Sequence, residues 1–181
     1  EVIKKVEKGL RRDVLFKGDS TWTIESRMKH YGVPGVSIAV IKDYKIAWLK
    51  SYGVTDKETG EPVTSTTLFQ AGSISKPVAA YGALHLAEQG KINLDENVNT
   101  YLKSWKLPEN EFTKDKKVAL KHLLSHTGGV TVHGFWGYSP DLPVPTLLQV
   151  LDGTPPANSP PIRVDKVPEK GFRYSGGGYR S

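Results

Sequence analysis

The sequence contains no cysteine, which excludes disulfide bonds, thiolate metal sites and a cysteine nucleophile among these 181 residues. It also lacks a long uninterrupted apolar run, because its longest mostly apolar passage, VPGVSIAVIKDYKIAWL, is broken by Lys42, Asp43 and Lys45. No membrane-spanning helix is therefore predicted. The sequence shows neither a starting methionine nor a basic-then-apolar leader, so we expect a processed, exported protein that is periplasmic or secreted.

The composition is that of an ordinary globular protein, with 38% hydrophobic and 24% charged residues, enough for one sizeable core or two small ones. The net charge is +6, but the lysines are scattered and are not interleaved with aromatic residues along one face. A nucleic-acid partner is therefore not expected, and a solvated surface or attraction to an anionic cell envelope explains the charge. The proline-rich segment DGTPPANSPPIRVDKVPEKG predicts a long surface loop.

The first half of the sequence predicts helices followed by a hairpin. Apolar residues recur at helical spacing in the first thirty residues, which predicts one or two amphipathic helices with a break near residues 17–20. Residues 36–41 and 46–52 are rich in β-branched and aromatic side chains, and the polar segment KDYK separates them. This pattern predicts a β-hairpin.

The pattern becomes helical from Ser73 onwards, and Gly90 is placed to end that helix. The segments LDENVNTYL and VALKHLLSHTGG predict shorter helices, and FRYSGGGYRS predicts a glycine-rich turn. The apolar residues of the long helix fall on one face: Ile74, Val78, Tyr81 and Leu84.

Ser73 and Lys76 form the first candidate for chemistry. Residues three apart on a helix share a face, so the lysine amine can reach the serine hydroxyl within one turn. A lysine accepts the proton of a serine nucleophile only if burial or a neighbouring cation lowers its pKa, and the flanking AG and PVAA predict an apolar, close-packed setting. The alternative is that Ser73 only caps the helix, since serine is a preferred N-cap residue.

Three ordered segments, TLFQAGSISKP, LLSHTGG and FRYSGGGY, resemble the serine β-lactamase and penicillin-binding protein superfamily, in particular its class C β-lactamase and family VIII esterase branch. The resemblance implies an α+β fold with an antiparallel sheet flanked by helices, plus a helical subdomain. It implies that residues 1–72 belong to the α/β domain and residues 73–181 to a mostly helical domain. The chain would then supply only the N-terminal part of the fold, with the remainder on a second chain or a missing segment.

The resemblance also implies roles for individual residues. Ser73 matches the nucleophile of the Ser-x-x-Lys motif and Lys76 its lysine. Tyr174 matches the tyrosine of a Tyr-x-Asn motif, which shares proton transfer with the lysine. Gly176 stands where the family has an asparagine that contacts the substrate. The missing amide predicts weak recognition of β-lactams and leaves ester or peptide hydrolysis as the better fit.

Two further groups of residues are candidates for the site. His122 and His126 suggest a metal site or a triad, but no acidic residue stands beside them at a ligand-like spacing, so a structural role is favoured. The aromatic residues Phe135, Trp136 and Tyr138 line an acyl pocket in one interpretation and pack a loop in the other.

The sequence thus leads to two hypotheses. The first is a serine hydrolase that works through an acyl-enzyme on short acyl esters, D-amino-acid peptides or amides, or β-lactams, with Ser73, Lys76 and Tyr174 as catalytic residues and without a metal or organic cofactor. The second is a non-catalytic binding or scaffold protein of the same fold, which Gly176 alone supports.

Overall fold

The computed structural model describes residues 1–180 and divides them into two compact units, Glu1–Gln70 and a second unit that begins at Ala71. Ser181, the last residue of the predicted glycine-rich turn, lies outside the described residues. None of the helices within residues 1–180 has the length and apolarity that a membrane span requires.

The first unit contains two helices, α1 (Val2–Lys8) and α2 (Ile24–Tyr31). Thr23 begins α2 with a reciprocal capping pair, because its side chain accepts the Ser26 N–H and the Ser26 hydroxyl accepts the Thr23 N–H, both at 3.0 Å. The non-helical segment between α1 and α2 is longer than the predicted break at residues 17–20. Leu10 is not helical, since its N–H and C=O pair with those of Trp22, and all residues between Lys8 and Ile24 lie outside helices.

The predicted hairpin is present as β1 (Gly35–Lys42) and β2 (Lys45–Gly53), paired antiparallel. Its two turn residues, Asp43 and Tyr44, both have positive φ, at 51° and 60°. That backbone matches the twist of a two-residue hairpin turn. Each strand is one residue longer at both ends than predicted.

The second unit is built around an apolar cluster that joins short elements and loops. Besides α3 (Ser75–Glu88) it contains α4 (Leu120–Leu124) and α5 (Leu147–Asp152). The segment LDENVNTYL forms only a single 3-10 turn, where a helix was predicted. The buried core of the second unit consists of Val98, Leu107, Val118, Leu123, Val130, Leu151, Ile162 and Val164.

Helix α3 begins two residues later than predicted, because Ser73 lies in a 3-10 turn, and its apolar face is exposed. It ends where Gly90 takes a positive φ of 68° and Lys91 N–H bonds back to Leu86 O at 3.0 Å. The core of the unit is formed by residues from Val98 onwards and includes no residue of α3. The side chains of its predicted apolar face are exposed by 73, 71, 76 and 52% for Ile74, Val78, Tyr81 and Leu84.

Candidate active site

Ser73 lies in a 3-10 turn, Gly72–Ile74, that leads directly into α3. Gly72 has a φ of +52°, a conformation that glycine adopts without strain. One turn later, Lys76 directs its Nζ back to Ser73 Oγ at 3.0 Å. The spacing in the sequence therefore produces the contact that it predicts.

Tyr174 reaches Ser73 from a distant part of the sequence, with its hydroxyl 2.6 Å from Ser73 Oγ. The segment around Tyr174 is fixed through the buried residue Ser175, whose hydroxyl donates to Thr131 O at 2.6 Å and accepts the Gly178 N–H at 3.0 Å. The structure thus brings the three predicted catalytic side chains together within one hydrogen-bonded group.

The electrostatics of this group act mainly on Tyr174. Hydrogen bonds from Lys76 and Ser73, together with the positive charge of Lys76, hold the pKa of the Tyr174 phenol below its ordinary value of 10.0. Lys76 Nζ also lies 5.2 Å from the centre of the Tyr174 ring and 5.6 Å from that of Tyr179. Tyr174 therefore ionises more readily than a free tyrosine.

The capping alternative for Ser73 is wrong in this structure. The N-cap position of α3 is Ile74, and no side-chain capping bond is formed there. The hydroxyl of Ser73 bonds to Lys76 and Tyr174 instead. The predicted close-packed setting is also wrong for residues 1–180, because Ser73 is exposed and the neighbouring alanines and Pro77 do not enclose it.

Gly176 is buried beside this group and makes a close backbone contact. Its N–H donates to His133 O at 2.9 Å. A Cβ atom added to Gly176 would lie 2.9 Å from the same carbonyl oxygen and 3.4 Å from Gly134 Cα. The position therefore has no room for a side chain unless the backbone near His133 moves. Contact between Gly176 and a substrate stays a prediction.

His122 has the structural role that was predicted. It is buried, its Nδ1 accepts the Ala119 N–H at 2.9 Å, and its Nε2 consequently donates to Glu169 Oε1 at 2.7 Å. Hydrogen bonds from Lys116 and His122 lower the pKa of Glu169 to about 2. Glu169 lies 47 residues from His122 in the sequence, and no local pattern predicts the pair.

His126 lies closer to the chemistry than the sequence suggests. Its ring centre is 4.4 Å from that of Tyr174. The ring of His133 also contacts Tyr174, with 4.9 Å between the two ring centres. Neither contact has a sequence signal, because each depends on how separate loops pack. Within residues 1–180 no group of histidine, aspartate and glutamate side chains could hold a metal ion.

The predicted aromatic run separates into different environments. Phe135 packs against the core of the second unit, with Arg180 4.6 Å above its ring. Trp136 is 91% exposed, and the Tyr138 hydroxyl accepts the Asn158 N–H at 3.2 Å. Loop packing therefore describes Phe135 and Tyr138, whereas a place for Trp136 in an acyl pocket stays a prediction.

Ser73, Lys76 and Tyr174 meet at the start of a helix in an α+β fold, and a Ser-x-x-Lys motif in this setting is typical of the β-lactamase and penicillin-binding protein class. The family model Beta-lactamase matches residues 22–180, and the chain belongs to the β-lactamase family. The α+β fold, in which this chain covers the N-terminal part of its relatives, is thus confirmed.

Individual relatives agree with this assignment. A β-lactamase from Yersinia enterocolitica is 33% identical over 107 residues, 59% of this chain and 26% of its own length. Esterase EstB from Burkholderia gladioli is 31% identical over 102 residues, 56% of this chain and 25% of its own. The octameric penicillin-binding protein homologue from Pyrococcus abyssi superimposes with a TM-score of 0.67 at 28% identity, over 87% of this chain and 35% of that one. The chain therefore spans about a quarter of the length of these curated relatives.

Proposed function

We propose that this chain carries the nucleophile of a serine hydrolase that works by acyl transfer. The observation that carries the proposal is the pair of distances at Ser73 Oγ, which is 2.6 Å from the Tyr174 hydroxyl and 3.0 Å from Lys76 Nζ. A serine becomes a nucleophile only when a neighbouring group accepts its proton, and both candidate acceptors are in contact with it.

The geometry supports Tyr174 as the group that takes the proton. Lys76 donates to Ser73 Oγ, and a Tyr174 phenolate would accept the Ser73 hydroxyl hydrogen across the 2.6 Å contact. The lowered pKa of Tyr174 favours the phenolate that accepts it. Ser73 Oγ then bonds to the substrate carbonyl carbon, and the protonated Tyr174 returns the proton to the leaving oxygen or nitrogen as its bond to that carbon breaks.

Water then hydrolyses the acyl-enzyme, and Tyr174 and Ser73 again transfer the proton. Tyr174 takes a proton from water, the resulting hydroxide attacks the acyl-Ser73 ester, and Ser73 recovers its hydrogen as the acid departs. The N-terminus of the 14-residue helix α3 favours the negative charge on the carbonyl oxygen during both attacks. The mechanism uses Lys76 to hold Ser73 and to stabilise the phenolate.

Short acyl esters are the substrates that the site suits best, followed by D-amino-acid peptides or amides and then β-lactams. Gly176 has no side chain to hydrogen-bond a substrate, and its N–H is donated to His133. A site without such a donor discriminates poorly among polar substrates. We therefore expect kcat/KM for a short p-nitrophenyl ester to exceed that for a penicillin or a cephalosporin, measured side by side on the full-length protein.

We further propose that another part of the family fold completes this site. The chain spans about a quarter of the length of its curated relatives, and the apolar face of α3 is exposed. In this proposal residues 1–72 join the α/β domain, residues 73–181 form the mostly helical domain, and the added part, on the same or a second chain, covers α3. A periplasmic or secreted location belongs to the same proposal.

The alternative is a binding or scaffold protein that keeps the fold without turnover. The absence of a side chain at Gly176 is the observation that favours it. The hydrogen bonds among Ser73, Lys76 and Tyr174 argue against it, because a scaffold has no need to hold a serine hydroxyl between a lysine and a tyrosine of lowered pKa.

Labelling of the full-length protein with a fluorophosphonate separates these two functions. A serine hydrolase is expected to bind one probe per molecule at Ser73, and Ser73→Ala is expected to remain unlabelled. The substitution should leave the protein folded, because Ser73 is exposed and its hydroxyl caps no helix. A folded wild-type protein that stays unlabelled would support the scaffold.

A further inference from the structure

The ring of His126 lies at the centre of an aromatic cluster around Tyr174. The two rings are 4.4 Å apart between centres and inclined by 32°, which makes the contact closer and more nearly parallel than the 4.9 Å and 48° contact of His133. His126 also contacts Tyr179 at 5.3 Å and the edge of Phe172 at 5.8 Å. One face of the Tyr174 phenol is thus supported by an imidazole that is itself packed against other rings.

The backbone on both sides of Tyr174 is tied to the same histidine. Arg173 N–H donates to His126 O at 2.9 Å, and Ser175 N–H donates to His126 Nδ1 at 3.1 Å. His126 follows α4 in a left-handed conformation with a φ of +58°, which turns its ring towards this segment. A single residue therefore restrains the main chain before Tyr174, the main chain after it and its ring.

The protonation of His126 is consistent with these contacts. Because Nδ1 accepts a hydrogen bond, the imidazole proton resides on Nε2. Burial, followed by the positive charge of Lys76, lowers the pKa of His126 below its ordinary value of 6.5. At neutral pH the ring is therefore uncharged and keeps its acceptor.

We propose that His126 is a positioning residue whose ring holds the Tyr174 hydroxyl within hydrogen-bond distance of Ser73. The proposal rests on the proposed function, in which Tyr174 moves the Ser73 proton. The hydroxyl of a tyrosine lies at the far end of the ring from the backbone, so a small tilt of an unsupported ring moves it enough to break the 2.6 Å contact with Ser73 Oγ. Misplacing a reacting group by about 1 Å lowers a rate by about a hundredfold.

Two substitutions separate the support that the His126 ring provides to Tyr174 from the contribution of His126 to the stability of the fold. His126→Asn keeps a hydrogen-bond acceptor near the Ser175 N–H and tolerates the left-handed backbone, but it removes the ring. His126→Phe keeps a ring against Tyr174, but it removes the acceptor and strains the backbone. His30→Asn is the matched control, because His30 is an exposed histidine that contacts Tyr31 at 4.8 Å in the other unit.

Each variant of the full-length protein is examined by its fluorophosphonate labelling rate and by the pKa of Tyr174. The pKa is read from NMR of 13C-labelled tyrosine, with Tyr174→Phe identifying the signal. We expect His126→Asn to fold, to label about a hundredfold more slowly, and to show a Tyr174 pKa that returns towards 10.0. His126→Phe is expected to be less stable but, where folded, to label close to the wild-type rate, and His30→Asn to match the wild type.

The opposite pattern would overturn the proposal. If folded His126→Asn labels at the wild-type rate with an unchanged Tyr174 pKa, His126 acts only on the fold. Failure of the proposed function is distinguishable, since the wild type would then not be labelled at Ser73. The pKa measurement does not depend on labelling, so it tests the positioning role even in that case.

Discussion

At the scale of single residues, the site divides into contacts that the sequence predicts and contacts that it cannot. Ser73 and Lys76 are three residues apart on one helix, so local geometry alone places them together. Tyr174 is 101 residues from Ser73, and only the resemblance to a known family pointed to it. His126 and His133 reach Tyr174 through loop packing, which has no periodicity to read. The sequence favours only a structural role for His126 and carries no signal for His133.

Replacement of Lys76 by arginine tests whether a positive charge is sufficient at this position. We expect Lys76→Arg to slow labelling of Ser73 by about a hundredfold, although the charge is retained. The planar fork of a guanidinium does not reproduce the compact ammonium contact of 3.0 Å to Ser73 Oγ. A labelling rate near that of the wild type would assign the lysine a purely electrostatic role.

Substitution of the glycines in the FRYSGGGY turn tests the close approach at Gly176. We expect Gly176→Ala to lower the free energy of unfolding by about 1–3 kcal/mol, because its Cβ would lie 2.9 Å from His133 O. Gly178→Ala is the matched control, since its Cβ would lie 3.5 Å from the nearest atom, Leu123 Cδ2. Urea unfolding of both variants measures the difference, and equal stability would contradict the account of this turn.

At the scale of elements, the sequence predicts long helices and strands better than short turns. The hairpin and α3 follow from alternation and helical spacing over many residues, and both are present. The segment LDENVNTYL was wrongly predicted as a helix, because the Asn97 side chain accepts the Asn99 N–H and limits the segment to a 3-10 turn. The exposure of the apolar face of α3 depends on what packs against it, which spacing does not reveal.

The connection between α4 and the loop that carries Glu169 is expected to weaken in acid. The pKa of Glu169 is lowered from 4.5 to about 2, so its contribution to stability is present above pH 4.5 and is lost as the pH falls towards 2. We expect Glu169→Gln to be less stable than the wild type at neutral pH, with a smaller difference at about pH 3.

Denaturant unfolding at both pH values measures this effect. Glu111→Gln serves as the control, because Glu111 is exposed and forms no ion pair among the described residues. A stability difference for Glu169→Gln that stays constant between the two pH values would show that the ion pairs of Glu169 do not stabilise the folded state.

At the scale of the whole molecule, this chain forms the N-terminal part of a β-lactamase-family fold. Its second unit has its own buried core, and that core fixes the loops that present His126 and Tyr174. Helix α3, which carries Ser73 and Lys76, keeps an exposed apolar face. The proposed completion of the fold therefore affects the surroundings of the site more than the contacts among its three central side chains.

The central claim is that Ser73 forms an acyl-enzyme, and trapping that intermediate tests it most directly. The full-length protein is mixed with a short p-nitrophenyl ester, quenched in acid, digested and analysed by mass spectrometry. We expect the peptide containing Ser73 to gain the mass of the acyl group while the substrate turns over, and Ser73→Ala to show neither. Hydrolysis of the ester with Ser73 unmodified, or with the acyl group on another residue, would contradict it.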